Sequence, residues 1–122
     1  MIFGIGTDII EIERIEIAIK RNPKFLEKMF TEREIELFKG RNFKNETIAG
    51  SFCVKEAVSK GLGTGIRGFA FKDIEVLRDS LGKPEVILGD KITNIINNKL
   101  KVHASISHNN DTAIAFVVIE EE

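Results

Sequence analysis

The sequence predicts an α+β domain, a mostly antiparallel sheet packed against helices, and three observations carry that prediction. Ile2 to Ile10 is a strand-like run that leads directly into Ile12, Ile15 and Ile19 at helical spacing. Two pairs of strand-like segments are joined by short polar turns, DSLGKP and HNND, as hairpins are. Ahead of both hairpins lies a long helical stretch from about Glu46 to Lys60. No repeat, linker or low-complexity segment divides the chain, so residues 1–122 are read as one domain with a modest core.

Each element has its own local reason. Pro23 interrupts the first helix, and Thr31 with Glu34 three residues on forms a capping box for a short helix ending at Gly40. The helix from Glu46 reads as amphipathic, with Ala49, Phe52, Cys53 and Ala57 on its apolar side. Phe71 to Leu77 and Glu85 to Leu88 are the strands of the first hairpin. Asp90 is the expected cap of a helix holding Ile92, Ile95 and Ile96. Val102 to Ser107 and Thr112 to Glu120 form the second hairpin. The last strand, TAIAFVVI, is apolar at both alternating positions, so both of its faces are expected to be covered, either by a neighbouring subunit or by the chain's own helices.

Composition excludes several classes. A net charge of −1 gives no global field for nucleic acid, and no apolar run approaches the roughly 20 residues that span a bilayer. Met1 leads straight into a strand with no basic region and cleavage site, so no signal peptide is expected and the expected compartment is the cytoplasm. A single cysteine excludes an internal disulfide, and Cys53, with no activating histidine nearby in sequence, reads as a core residue. With no Trp and no Tyr, acid or base chemistry falls to Asp, Glu, Lys or the two histidines.

The chemistry-bearing stretch is SFCVKEAVSKGLGTG. Gly63, Gly65 and Gly68 fit G-x-G-x-x-G, but they follow a helix rather than open one, so the dinucleotide fingerprint does not apply. That loop either holds phosphate through free backbone N–H groups and Lys60, or simply terminates a helix. Glu56 and Lys60, four apart, make either an exposed ion pair or part of a metal and phosphate site. The second carboxylate for such a site is Asp8, an acid in an otherwise apolar strand. His103 and His108, five apart on one strand, point to opposite faces and do not chelate together. His108, at the strand end beside a polar turn, is the better candidate for meeting an anion. From Arg14 to Lys28 five basic residues stand against two acidic ones, which favours an acidic partner over a merely solvated face.

GIGTDIIEIERI, FTEREIELF, FCVKEAVSKGLGTGI, LGKP, HASISH and the closing AIAFVVIE, in this order and spacing, together resemble the bacterial holo-acyl-carrier-protein synthases, group-I 4′-phosphopantetheinyl transferases, over nearly the whole chain. The resemblance implies the 4′-phosphopantetheinyl transferase fold. The implied reaction moves the phosphopantetheine arm of coenzyme A onto a serine of apo-acyl carrier protein and releases adenosine 3′,5′-bisphosphate. It further implies Asp8, Glu56 and Lys60 as catalytic residues, with Asp8 and Glu56 as Mg²⁺ ligands, and Lys44, Ser59, Lys60, Gly63, Thr64, Gly65, Lys83, Pro84 and His108 around coenzyme A. Within that set, Gly82 to Pro84 match the turn near adenine and His108 the histidine near the 3′-phosphate. Arg14, Arg21, Lys24, Phe25 and Lys28 match the carrier-docking surface, and the implied assembly is a homotrimer with active sites between subunits. One departure stands out: the position before Phe52, commonly Arg in the family, is Ser51 here, so a phosphate contact is either missing or supplied by Lys44 or another basic residue. A non-catalytic binding module of the same fold and a small oligomeric interaction protein are the competing readings.

Overall fold

The computed structural model describes residues 1–63 and 67–122. The chain runs β1 (Ile2–Glu11), α1 (Ile12–Arg21), α2 (Phe25–Met29), α3 (Glu32–Gly40), α4 (Asn45–Gly61), a 3₁₀ turn (Phe71–Asp73), β2 (Ile74–Arg78), β3 (Pro84–Leu88), α5 (Asp90–Ile96), β4 (Leu100–His108) and β5 (Thr112–Glu121). The strands form an antiparallel three-stranded sheet in the order β1-β5-β4 and a separate antiparallel β2-β3 hairpin.

Most sequence expectations hold to within a residue or two, with local differences. Phe71–Asp73 is a 3₁₀ turn, not the start of a strand, because the Asp73 carboxylate accepts from the Ala70 N–H and closes the turn. The cap of α5 is Gly89, and Asp90 is already the first helical residue. The short α2 was not expected; it is a single turn between α1 and α3 that buries no residue completely.

The long helix also differs from its amphipathic reading. Ala49, Cys53 and Ala57 are buried as expected, but so are Ile48, Gly50, Ser51, Val54, Lys55, Val58 and Ser59. The three-stranded sheet lies against one side of α4, and α1, α3 and the β2-β3 hairpin enclose much of the rest. Such a helix is an axle of the domain rather than a surface element.

On β5 the alternate residues Ala113, Ala115, Val117 and Ile119 are buried beneath α4. The opposite sheet face carries Ile5, Ile9, Ile114 and Phe116, which are 60%, 69%, 42% and 47% exposed. Register makes them neighbours: Ile9 faces Ile114, Thr7 faces Phe116 and Ile5 faces Val118. Among the described residues the chain's own helices do not cover this second face of β5, which leaves the alternative of a neighbouring subunit.

Candidate active site

Two glycines build the site by removing side chains. Gly4, Gly6 and Asp8 share one face of β1, the face that meets α4. A Cβ on Gly4 would lie 2.0 Å from the Gly61 carbonyl oxygen, and one on Gly6 only 1.8 Å from that of Ala57. The strand backbone therefore rests directly on the helix backbone, which no other residue type allows. Gly61, Ala57 and Cys53 follow one another at four-residue spacing along α4, and Asp8 is the next residue of the strand to arrive, beside Cys53.

That placement gathers the three chemistry-bearing residues. Lys60 Nζ donates to the Thr7 carbonyl at 2.9 Å and to Asp8 Oδ1 at 3.2 Å. Glu56 is half-buried nearby; burial first, and then the Asp8 carboxylate, push its pKa up, while Lys60 pulls it down. Burial and the same two carboxylates push the Cys53 thiol up to about 12, and its Sγ sits 3.5 Å from the Ala113 carbonyl oxygen. Cys53 is thus a core residue and no nucleophile, as its sequence context indicates.

Two carboxylates against one ammonium leave an excess of negative charge, which adds to burial in raising Glu56. Mg²⁺ fits such a set, because it takes one or two carboxylates together with waters and phosphate oxygens. Among the described residues no group of three or more His, Cys, Asp or Glu forms a closed cage. A cation held by Asp8 and Glu56 would therefore keep positions open for a substrate.

The remaining candidates divide. Gly63 has φ of 79°, the left-handed backbone that glycine tolerates, and follows α4 directly; Thr64 and Gly65 lie outside the described residues. Ser59 is buried and its hydroxyl donates to the Lys55 carbonyl at 2.9 Å. At the other end of α4, Lys44 is the cap residue, and close by is a cavity of about 200 Å³ lined by Arg41, Glu46, Thr47, Arg78, Pro84 and His108 among others. Lys83 is exposed on the adjoining β2-β3 turn, whose Gly82 has φ of 88° and whose Lys83 N–H donates to Asp79 Oδ1. His103 instead pairs with Glu120, away from His108's cavity, as the odd spacing requires.

The cavity and the acid cluster do not meet within one chain. Glu46 and Glu56 are ten residues apart on α4, which is about 15 Å along a helix.

The basic segment lies on α1 and α2. Arg14 and Lys20 have partners in Glu11 and Glu16, whereas Arg21, Lys24 and Lys28 are exposed with no ion pair among the described residues. The Phe25 ring packs against Phe52 with centroids 6.3 Å apart, and Phe52 precedes Glu56 by one helical turn. The basic surface therefore borders the acid cluster.

Two features escaped the sequence reading. Lys55, wholly buried, donates from Nζ to Glu34 at 2.8 Å and to the carbonyls of Phe71 and Ile74 at 2.9 and 2.6 Å, and sits 5.0 Å from the Phe30 ring centre. Glu34 also accepts from the N–H groups of Thr31 and Val76, so the capping-box acid doubles as the buried partner. Arg78 is the second; its signal was the strand period, which puts it on the inward face with Ile74 and Val76.

The chain is a small α+β domain with a carboxylate pair and a lysine at a glycine-packed seam of strand and helix. The family model for the 4′-phosphopantetheinyl transferase superfamily matches residues 4–117, and the chain belongs to this superfamily, within its holo-acyl-carrier-protein synthases. It is 62% identical to the holo-[acyl-carrier-protein] synthase of Clostridium perfringens over 100% of this chain and 96% of that protein. Among solved structures it is similar to the synthase from Neisseria meningitidis (37% identity, TM-score 0.88, 98% and 99% of the two chains covered). It is also similar to the synthase from Helicobacter pylori in complex with coenzyme A (40% identity, TM-score 0.84, 95% and 99% covered).

Proposed function

We propose that this protein transfers 4′-phosphopantetheine from coenzyme A to a serine of apo-acyl carrier protein, leaving holo-carrier and adenosine 3′,5′-bisphosphate. The observation that carries this reading is the convergence of Asp8, Glu56 and Lys60 where β1 rests on α4. Glu56, its affinity for a proton raised by burial and by Asp8, accepts the proton of the carrier serine. The serine oxygen attacks the pantetheine-side phosphorus of the pyrophosphate, and the bond from that phosphorus to the bridging oxygen breaks. Lys60, half-exposed and held by Thr7 and Asp8, offers its ammonium to the departing phosphate. When bound by Asp8 and Glu56, Mg²⁺ supplies positive charge to the pyrophosphate, the principal help such a transfer needs.

The carrier docks on the basic face of α1 and α2 through Arg14, Arg21, Lys24 and Lys28, with Phe25 as the apolar contact beside Phe52. An acidic carrier is drawn there by charge, and its serine then faces Glu56. Coenzyme A places the 3′-phosphate of its nucleotide in the cavity of Pro84 and His108, near Lys44 at the start of α4. Its 3′-phosphate and pyrophosphate sit on one ribose, so they cannot bridge a cavity and an acid cluster at opposite ends of one α4. The exposed apolar face of Ile5, Ile9, Ile114 and Phe116 offers the remedy: subunits associate through it, as a homotrimer, and each active site combines one subunit's cluster with the next one's cavity. No helix of the described residues is long and apolar enough to cross a membrane, and a cytoplasmic setting fits these substrates.

The test is the intact mass of an apo-acyl carrier protein incubated with this protein, coenzyme A and Mg²⁺. A gain of one phosphopantetheine arm, abolished by EDTA, is expected. No gain with several carriers, from a protein shown to be folded, would leave a binding module in place of an enzyme. Light scattering on the same sample reads three chains per particle if the assembly is as proposed.

A further inference from the structure

Arg78 closes β2 on its inward face and is half-buried. Nη2 donates to Ser51 Oγ at 3.2 Å, while Nη1 is removed from solvent and has no hydrogen-bond partner among the described residues. Nor does any carboxylate among them pair with it. Glu34, the one acid that favours its charge, is already committed to Lys55 and two backbone N–H groups. Arg41 sits on the same cavity and, together with burial, holds the Arg78 guanidinium down to about 10. A half-buried cation whose Nη1 finds no partner among the described residues, beside a second cation, is a costly arrangement that an anion would relieve.

The cavity suits one. Its 200 Å³ admits a phosphate group but not a whole nucleotide, and His108 and Arg41 face it alongside Arg78. The first turn of α4 opens onto it through Glu46 and Thr47, and no side chain caps that turn, so the positive end of the helix adds to the field. Glu46 is the single acidic member of the rim. Ser51 is fully buried and small; a larger side chain there would occupy the space of the guanidinium, so positions 51 and 78 address one spot.

We infer that Arg78, reaching over Ser51 from β2, is the residue through which this protein selects a nucleotide carrying a phosphate monoester on its ribose, with Arg41 as the second cation. The two guanidiniums match the two charges of a monoester. This rests on the transferase reading, since it takes coenzyme A rather than its 3′-dephospho form as the preferred donor.

The experiment has two arms on the assembled protein. Calorimetry compares adenosine 3′,5′-bisphosphate with adenosine 5′-monophosphate, and transfer assays compare coenzyme A with 3′-dephospho-coenzyme A. Wild type should favour the 3′-phosphorylated member of each pair by about tenfold or more. Arg78→Met should erase that preference by weakening only the 3′-phosphorylated ligand, raising KM for coenzyme A with kcat unchanged. It should not lower the melting temperature, because it removes an unsatisfied buried charge. Ser51→Arg placed on Arg78→Ser should restore part of the preference, a rescue that no purely structural role predicts. Equal losses for both members of each pair, or an unchanged preference in Arg78→Met, would overturn the inference. Should Arg78→Met fold poorly, Arg78→Lys, a single-point ammonium, must still lose most of the preference. If wild type transfers nothing, the transferase reading fails, and the calorimetric arm alone decides on Arg78.

Discussion

Two lysines five positions apart on α4 each face a carboxylate, and they do opposite things. Lys55 and Glu34 are both wholly buried, and every polar atom around them is used: the ammonium has three acceptors, and the carboxylate has two further N–H donors. Lys60 is 56% exposed, and its partner Asp8 is crowded by a second carboxylate, Glu56, whose proton affinity is raised by burial first and then by Asp8. The first pair ties α3, α4 and β2 into one body. The second is left with surplus charge, which is what a site needs in order to bind a cation and a phosphate. Satisfaction of partners, more than distance, separates the structural pair from the one proposed to react.

Several substitutions would break or sharpen this contrast. Glu56→Gln is expected to reduce transfer by about 100- to 10,000-fold, the range for losing a general base. It should leave the melting temperature equal or slightly higher, since it relieves repulsion from Asp8; near-normal turnover would remove Glu56 from the mechanism. Lys55→Met should act the other way, costing about 3–5 kcal/mol in denaturant unfolding by stranding the Glu34 carboxylate in the core. A cost under about 1 kcal/mol, the range of surface pairs, would erase the distinction between the two lysines. Gly6→Ala tests the seam itself: the added methyl meets the Ala57 carbonyl and must push strand from helix, at about 1–3 kcal/mol or more, with activity falling as Asp8 moves away from Glu56. Lys24→Glu with Lys28→Glu should raise KM for the carrier about tenfold and spare coenzyme A binding, and an unchanged KM would return this face to ordinary solvation. Smallest of all, Lys60→Met should change stability by about 0–1 kcal/mol, although it impairs transfer, because its ion pair is largely solvated.

Local signals were legible wherever they depended on neighbours in the chain. The capping box at Thr31 and Glu34 forms as read, with both reciprocal hydrogen bonds present. The two hairpins, the helix through Glu56 and the inertness of Cys53 also follow from period and composition. Phe71 was misread because its apolar, aromatic character suits a strand, while a carboxylate three residues on, Asp73, closes a turn instead. Gly4 and Gly6 carry no side-chain signal at all; their role appears only when the Ala57 and Gly61 carbonyls come to rest against them.

By itself the sequence determined the α+β class, the order of nearly all elements, and the residue types that carry the chemistry, because propensity, capping and period act over a few residues. Which carboxylate is spent on structure and which is left for chemistry was decided by the tertiary structure. Glu34 and Glu56 each stand near a lysine in the folded chain, but only packing brings Lys55 out of water among three acceptors and leaves Glu56 facing Asp8. The same holds for Arg78, whose orphaned donor exists only because β2 carries it under Ser51. Desolvation and the presence or absence of a partner are properties of the assembled volume, and no local window of residues encodes them.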